Sequence, residues 1–305
     1  MNAREQWLAE RRLGIGGSDV APILGMSPWA TPLDVYLDKV GEAPERPDTP
    51  AMAWGRAMEP LLRQAYEAQT GLQVTVPPSA LVHPVHGFMR ANLDGIVPQA
   101  NRVFEGKTAR TAEGWGEPGT DEVPDAYALQ VQHYLLVTGL SLADIAVLIG
   151  GSDFRIYTVE ADPQVQSDLI DLEREFWHRV ETRTPPEPRT FAEVQQRFGR
   201  SSAAGAVQAD PEAYAAWAEL QDARRIAKEA EAREEAAKAV LMRTLGDTGD
   251  TLVDPSGRVL ATWKLAKAPQ RFDTKALQAE HPDLYNQYLR AGEPSRRFLP
   301  KEIAA

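Results

Sequence analysis

A small set of polar residues placed among apolar segments could hydrolyse a phosphodiester. Asp94 ends the run Asn92-Leu93-Asp94-Gly95, and eleven residues further on Glu105 stands two before Lys107 in Val103-Phe104-Glu105-Gly106-Lys107-Thr108. On a strand, alternation with period two puts the side chains of Glu105 and Lys107 on one face. A hairpin pairing of the two segments would let Asp94 reach that face as well. Carboxylates are hard oxygen ligands suited to Mg²⁺, which polarises a phosphoryl oxygen and lowers the pKa of a bound water. A lysine beside them can orient or deprotonate that water and offset charge on the phosphate. Glu59, from a preceding helix, could complete the metal shell. Gln130 and Tyr134 stand at i and i+4 of a later helix and share a face, where a glutamine could hold the attacking water or bind phosphate. Singly these signals are weak. An E-x-K pair is usually a solvated strand face, Asp-Gly a turn, and Glu59 a charge near a helix start. Their order, each on an appropriate element, carries the information.

The elements that must position these groups follow from local patterning. Residues 4–12 read as a short helix leading into the Gly-rich turn Gly14–Asp19, with Ser18 or Asp19 as N-cap of a helix through about Leu24. A second helix is expected over Pro32–Val40, then a loop over Gly41–Pro50. Trp54, Met58, Leu61, Leu62 and Tyr66 recur at helical spacing, with Gly71 as C-cap. Pro60 has no N–H to donate, so this helix should start or kink near Glu59. Strands are expected over Leu72–Val76, Phe88–Val97 and Arg102–Thr108, the last two joined by a turn at Pro98–Asn101. Asp125–Gly139 reads as an amphipathic helix. Ala143–Gly150 and Arg155–Glu160 read as a hairpin, and residues 163–182 as a further helix ending at Pro185–Pro188. This order implies an α/β core with a mixed sheet flanked by helices.

Beyond Gly199 the character changes. Ser201–Gln208 is small and polar, a linker. Asp210–Leu245 is a long, charged, Ala-rich helix; a hairpin follows (Thr251–Val253 and Val259–Leu265), then a short helix near Thr274–His281 and a basic end. The chain therefore divides into a core, residues 1–199, and a mostly helical C-terminal extension, residues 200–305.

The order E, D-G, E-x-K, Q-x-x-x-Y resembles the PD-(D/E)XK nuclease superfamily, with its restriction-endonuclease-like core. Trp7, then Arg11-Arg12-Leu13-Gly14-Ile15-Gly16-Gly17-Ser18-Asp19, and later Gln130-Val131-Gln132-His133-Tyr134 with Val137-Thr138-Gly139 are similar to the YqaJ-like viral recombinase branch that contains lambda exonuclease. The resemblance covers about residues 4–182. It implies Glu59, Asp94, Glu105 and the Gly106 carbonyl as metal ligands, Lys107 as the water-activating lysine, and Gln130 or Gln132 as the glutamine near the site. It implies a 5′-phosphate pocket from Ser18 and Arg12, with Arg11 as the rival arginine. It further implies Mg²⁺ (Mn²⁺ as substitute) and digestion of linear duplex DNA from a 5′ end, leaving a 3′ single strand for a single-strand annealing protein. A ring trimer around DNA is known in the family. Leu93 stands where the superfamily has proline before the aspartate, while the carboxylate and following glycine remain.

Composition bounds these readings. Across 305 residues the net charge is −11, which disfavours bulk coating of nucleic acid. Residues 251–305 hold nine Lys/Arg against six Asp/Glu, so the remainder of the chain is the acidic part. There is no cysteine, which excludes disulfides, thiolate zinc sites and cysteine nucleophiles. The amino terminus is polar and no apolar run suffices to span a bilayer, so a cytoplasmic, membrane-free protein is expected. Two other functions compete with the exonuclease: an endonuclease or branched-DNA nuclease using the same residues, and a non-catalytic DNA-end-binding scaffold. The intact set of carboxylates and lysine argues against the scaffold.

Overall fold

The computed structural model describes residues 9–43, 49–292 and 294–301. The chain forms two compact units, one ending at Glu193 and one beginning at Val194. In the first, the elements run β1 (Ile15–Gly16), α1 (Gly17–Ile23), α2 (Pro32–Val40), α3 (Pro50–Thr70), β2 (Leu81–Val82), β3 (Met89–Ala91), β4 (Gly95–Val97), β5 (Arg102–Ala109), α4 (Asp125–Thr138), β6 (Leu142–Ile149), β7 (Asp153–Glu160) and α5 (Pro163–Glu181). The helix α6 (Phe191–Phe198) straddles the boundary.

The main sheet has order β4-β5-β6-β7, and it is mixed: β5 and β6 run parallel through the α4 crossover, while both outer pairs are antiparallel. Alternation sorts its side chains between two helices. Val103, Ala143, Ile145, Val147 and Ile149 pack with Val131, Leu135 and Val137 of α4, whereas Phe104, Ala146 and Leu148 pack with Leu62 and Tyr66 of α3. The expected α/β core with a mixed sheet flanked by helices is thus the observed one. A small sheet of order β1-β3-β2 lies beside it.

Several expectations need correction. The helix α3 begins at Pro50, capped by Thr49, and runs through Pro60, so it does not start at Glu59. Its apolar stripe holds it together past the one missing donor. Leu72–Val76 makes only an isolated bridge, Thr75 to Ile96, because Pro77 and Pro78 end any ladder there. The single strand over Phe88–Val97 is two, β3 and β4, in different sheets. The N-cap of α1 is Gly16; Asp19 is the third helical residue and accepts from the Gly16 N–H at 3.0 Å. Helix α4 is buried along its second half, with Gln130 through Leu135 all inside, so it is a central helix and lacks a polar face. Of the helix expected over 4–12, residues 9–11 are helical, and Trp7 lies outside the described residues.

The second unit contains α7 (Pro211–Leu245), the hairpin β8 (Thr251–Val253) and β9 (Val259–Thr262), α8 (Thr274–Glu280) and α9 (Pro282–Tyr288). α6 and α9 were not expected from patterning. Both are short, and Pro185–Pro188 and Pro282 mask them as turn signals. Among the described residues no helix is long and apolar enough to cross a membrane.

One buried charge cluster fastens the amino-terminal turn to the core. Lys39, with a side chain 0% exposed, donates to Asp19 at 2.6 Å and to the Arg11 carbonyl at 2.9 Å. Arg11 bridges Asp19 and Asp38. Burial opposes ionisation of Asp19, but the charges of Lys39 and Arg11 outweigh it and hold the carboxyl below its usual range. An acid held below its unfolded value stabilises the fold above that value, about pH 4, and loses the contribution as the pH falls through the folded one. Asp19→Asn should therefore cost about 3–5 kcal/mol at pH 7, because it strands a buried ammonium. Thermal melts should show the gap between variant and wild type closing toward pH 3; an equal gap at pH 3 and pH 7 would contradict the assignment.

Candidate active site

The site forms where strand β5 loses its neighbour. β4 pairs with β5 only from Val97–Arg102 to Gly95–Phe104, so the edge of β5 is open from Glu105 onward. The chain turns away at Asp94, and the Asp94 carboxylate accepts the Gly106 N–H at 2.9 Å. A side chain thus takes over where a backbone ladder would have continued. This is why the segment Phe88–Val97 breaks into two strands.

Glu105 and Lys107 project to the α4 side. The Lys107 ammonium donates to Glu105 Oε1 at 2.6 Å and to Gln130 Oε1 at 3.0 Å. The Gln130 amide donates to the same Glu105 oxygen at 2.7 Å and to the Tyr134 hydroxyl at 2.9 Å. The ammonium also stands 4.8 Å from the centre of the Tyr127 ring. Gly106 faces the other way: a Cβ there would meet Leu62 Cδ1 at 3.1 Å and Asp94 Oδ2 at 3.6 Å. Close packing of Leu62 on this glycine brings in α3, whose inward stripe is Glu59, Leu62 and Tyr66. Tyr66 anchors the helix by donating to buried Asp144 at 2.6 Å, and Asp144 also accepts from Arg102 and Thr158. Arg63 reaches the Asp94 carbonyl at 3.3 Å. The open edge therefore lets groups from both sheet faces converge.

The electrostatics reflect three carboxylates in one place. Burial, with the charges of Asp94 and Glu59 adding to it, pushes the Glu105 carboxyl up to about 8 despite Lys107. Partial burial and Asp94 raise Glu59. Burial would discharge Lys107, but the Glu105 carboxylate outweighs it and keeps the ammonium. As placed, no group of three or more His, Asp or Glu among the described residues is gathered tightly enough to hold a metal ion. The donor chemistry nevertheless fits a hard divalent cation. Glu105 Oε2 is buried without any hydrogen-bond partner, and the mutual repulsion of Glu59, Asp94 and Glu105 is what a cation relieves.

Glu59, Asp94, Glu105, Lys107 and Gln130 are thus brought together. Gln132 is not: its amide donates to the Glu160 carbonyl and its oxygen accepts from Asp162 N–H, tying α4 to the β7–α5 corner. His133 lies inside, between the Glu173 carboxylate at 2.8 Å and the Arg90 carbonyl at 2.9 Å, and faces no open site. Arg12 and Ser18 are both exposed and make no contact with the cluster among the described residues. Arg12 lies against Gly41, whereas Arg11 is committed to Asp19 and Asp38. Sequence reasoning missed Tyr127, one turn before Gln130, and Arg63, one turn after Glu59. Helical spacing alone marks both.

The family model for the YqaJ-like viral recombinase domain matches residues 6–141. The uncharacterized protein YqaJ of Bacillus subtilis (strain 168) is 31% identical over 311 residues, spanning 99% of this chain and 95% of its own. The chain belongs to the YqaJ-like viral recombinase family. Among solved structures, the alkaline exonuclease LHK-Exo of Laribacter hongkongensis is 21% identical with a TM-score of 0.47, covering 59% of this chain and 94% of that one. A phage-related exonuclease of Haemophilus somnus 129PT is 10% identical with a TM-score of 0.42, covering 58% of this chain and 99% of that one. The segment matched by the YqaJ-like model contains Glu59, Asp94, Glu105, Lys107, Gln130 and Tyr134.

The Gly-rich turn of this YqaJ-like domain has a packing role beside any ligand role. A Cβ on Gly17 would stand 2.5 Å from Tyr134 Cε1 and 3.0 Å from Gln130 Cγ, so α1 touches α4 at the residues that hold the site. At Gly16 the nearest such contact is an ordinary 3.6 Å. Gly17→Ala should therefore destabilise by about 1–3 kcal/mol through overpacking. Gly16→Ala should stay within about 0.5 kcal/mol of wild type. Parallel denaturant melts check this, and equal stability of the two variants would remove the packing explanation.

Proposed function

We propose that this chain is a metal-dependent deoxyribonuclease that digests linear duplex DNA, working 5′ to 3′ and leaving 3′ single strands. The observation that carries the reading is the open edge of β5, where Glu105, Lys107 and Gln130 share hydrogen bonds beside Asp94. Membership of a viral recombinase family supports DNA as substrate.

Glu59, Asp94 and Glu105 would hold Mg²⁺ or Mn²⁺, with the Gly106 carbonyl beside them. When bound, the ion supplies a Lewis acid for the phosphoryl group. The residues do the rest. Lys107 is protonated while Glu105 holds it, and as an ammonium it orients water and offsets charge on the phosphate. With a cation held by Glu59, Asp94 and Glu105, Lys107 would lie beside a positive charge, which would favour its neutral form and let it accept a proton from the attacking water. Gln130, fixed by Tyr134, holds Lys107 in place. Arg12 and Ser18 present an arginine fork and a hydroxyl to a terminal 5′ phosphate. A ring trimer and a single-strand annealing protein are the assembly and partner this activity would use.

Glu105→Gln and Lys107→Ala should each lower hydrolysis by at least ~10² while linear duplex is still bound. Gln130→Ala should follow them in direction, whereas Gln132→Ala should lose stability and keep its turnover. Mg²⁺ and Mn²⁺ should support the reaction, Zn²⁺ should not, and Ca²⁺ should bind without turnover. A folded Glu105→Gln protein that digests at the wild-type rate would end this assignment.

End recognition is tested with three substrates. Initial rates should rank 5′-phosphorylated linear duplex above 5′-hydroxyl duplex, with covalently closed circles surviving. Arg12→Ala should narrow the difference between the first two without abolishing hydrolysis. Rapid cutting of closed circles would make the protein an endonuclease.

A further inference from the structure

The C-terminal unit carries an aromatic and basic patch that the nuclease site does not use. The segment Pro294–Lys301 holds Arg296, Arg297 and Lys301 and no carboxylate. It is fixed by three contacts, one to the residue that follows α6 and two to the start of α7. Arg296 N–H donates to the Gly199 carbonyl at 2.7 Å, and the Trp217 indole and Gln221 amide donate to the Lys301 carbonyl at 3.2 and 3.5 Å. Those bonds set the tail beside an aromatic pair, Tyr214 and Trp217, whose ring centres are 5.6 Å apart. Tyr214 is 59% exposed and Phe298, between the cations, 66% exposed. Among the described residues none of Arg296, Arg297 and Lys301 enters an ion pair.

Burying aromatic rings in this unit would be the default, and leaving them exposed beside unpaired cations needs a partner with matching chemistry. We propose that this patch binds single-stranded DNA, with bases stacked on Tyr214 and Phe298 and phosphates on Arg296, Arg297 and Lys301. Stacked bases are accepted whatever their identity, and cations track the backbone. A duplex hides its base faces and offers only phosphates, so the patch discriminates for single strands. The same composition continues upstream, where Lys264, Lys267 and Arg271 are interleaved with the exposed Trp263 and Phe272. The proposal does not rest on the hydrolytic reading.

The test uses the full chain in EDTA, so turnover plays no part, with labelled dT20 and a blunt 20-base-pair duplex followed by fluorescence anisotropy. Arg296→Gln with Arg297→Gln should weaken dT20 binding by roughly tenfold or more and reduce its salt slope by about 1.4, two cations' worth. Phe298→Ala, an exposed change, should weaken dT20 by roughly tenfold. Duplex affinity should shift less than threefold in both. Circular dichroism and melting establish that each variant is folded. A dT20 affinity within threefold of wild type in the folded variants, or an equal loss on duplex, would overturn the proposal.

Discussion

Everything at this site depends on a stretch of ladder that is absent. β4 stops pairing at Gly95–Phe104, and the strand that should continue alongside Glu105, Gly106 and Lys107 turns away at Asp94. An open strand edge leaves backbone donors unsatisfied, and the Asp94 carboxylate meets that demand at the Gly106 N–H. The same gap gives access. Residues facing α4 and residues from α3 can meet around the edge, which a continuous sheet would keep on opposite faces. Gly106 is then constrained twice, by Leu62 on one side and by Asp94 on the other.

Rigid elements hold each contributor. Tyr66 bonded to Asp144 sets the rotation of α3, and so of Glu59 two turns earlier. The contact of Gly17 with Tyr134 and Gln130 sets α4, and the Asp19–Lys39–Arg11 cluster holds the turn that carries Gly17. The cost falls on Glu105. A carboxyl pushed up to about 8 by burial and like charges has gone into a place where it is hard to ionise, and one of its oxygens is buried with no partner. Strain of this kind at a cluster of opposed charges is characteristic of functional sites. In the buried pair of Lys39 with Asp19 the charges of Lys39 and Arg11 instead hold the carboxyl below its usual range.

Much of this was legible in the sequence because it rests on short-range periodicity. Glu105 and Lys107 two apart on a strand, and Gln130 with Tyr134 four apart on a helix, needed only local geometry. The helices Pro32–Val40 and Pro163–Glu181 and the β6–β7 hairpin likewise follow from caps and alternation. What was hidden is long-range. The break at Asp94 comes from a demand on the neighbouring strand, which no pattern within residues 88–97 encodes. Helix α4 looked amphipathic because Gln130, Gln132 and His133 are polar, yet each is satisfied inside by a partner distant in sequence. Pro60 read as a start or a kink because local propensity was weighed without the packing of Leu62 and Tyr66 that carries the helix through it. The choice between Gln130 and Gln132 could be made only once their partners were visible.

The central proposal is that Glu105, with Glu59 and Asp94, would hold a divalent ion. Calorimetric titration of Mn²⁺ into the metal-free protein across pH tests it most directly. Because Glu105 must shed a proton to bind, affinity should climb by up to roughly tenfold per pH unit between pH 6 and 8 and level off above. About one proton should be released per ion at the low end, and Glu105→Gln should flatten the profile. An affinity that is the same at pH 6 and pH 9, or unchanged in Glu105→Gln, would contradict the account.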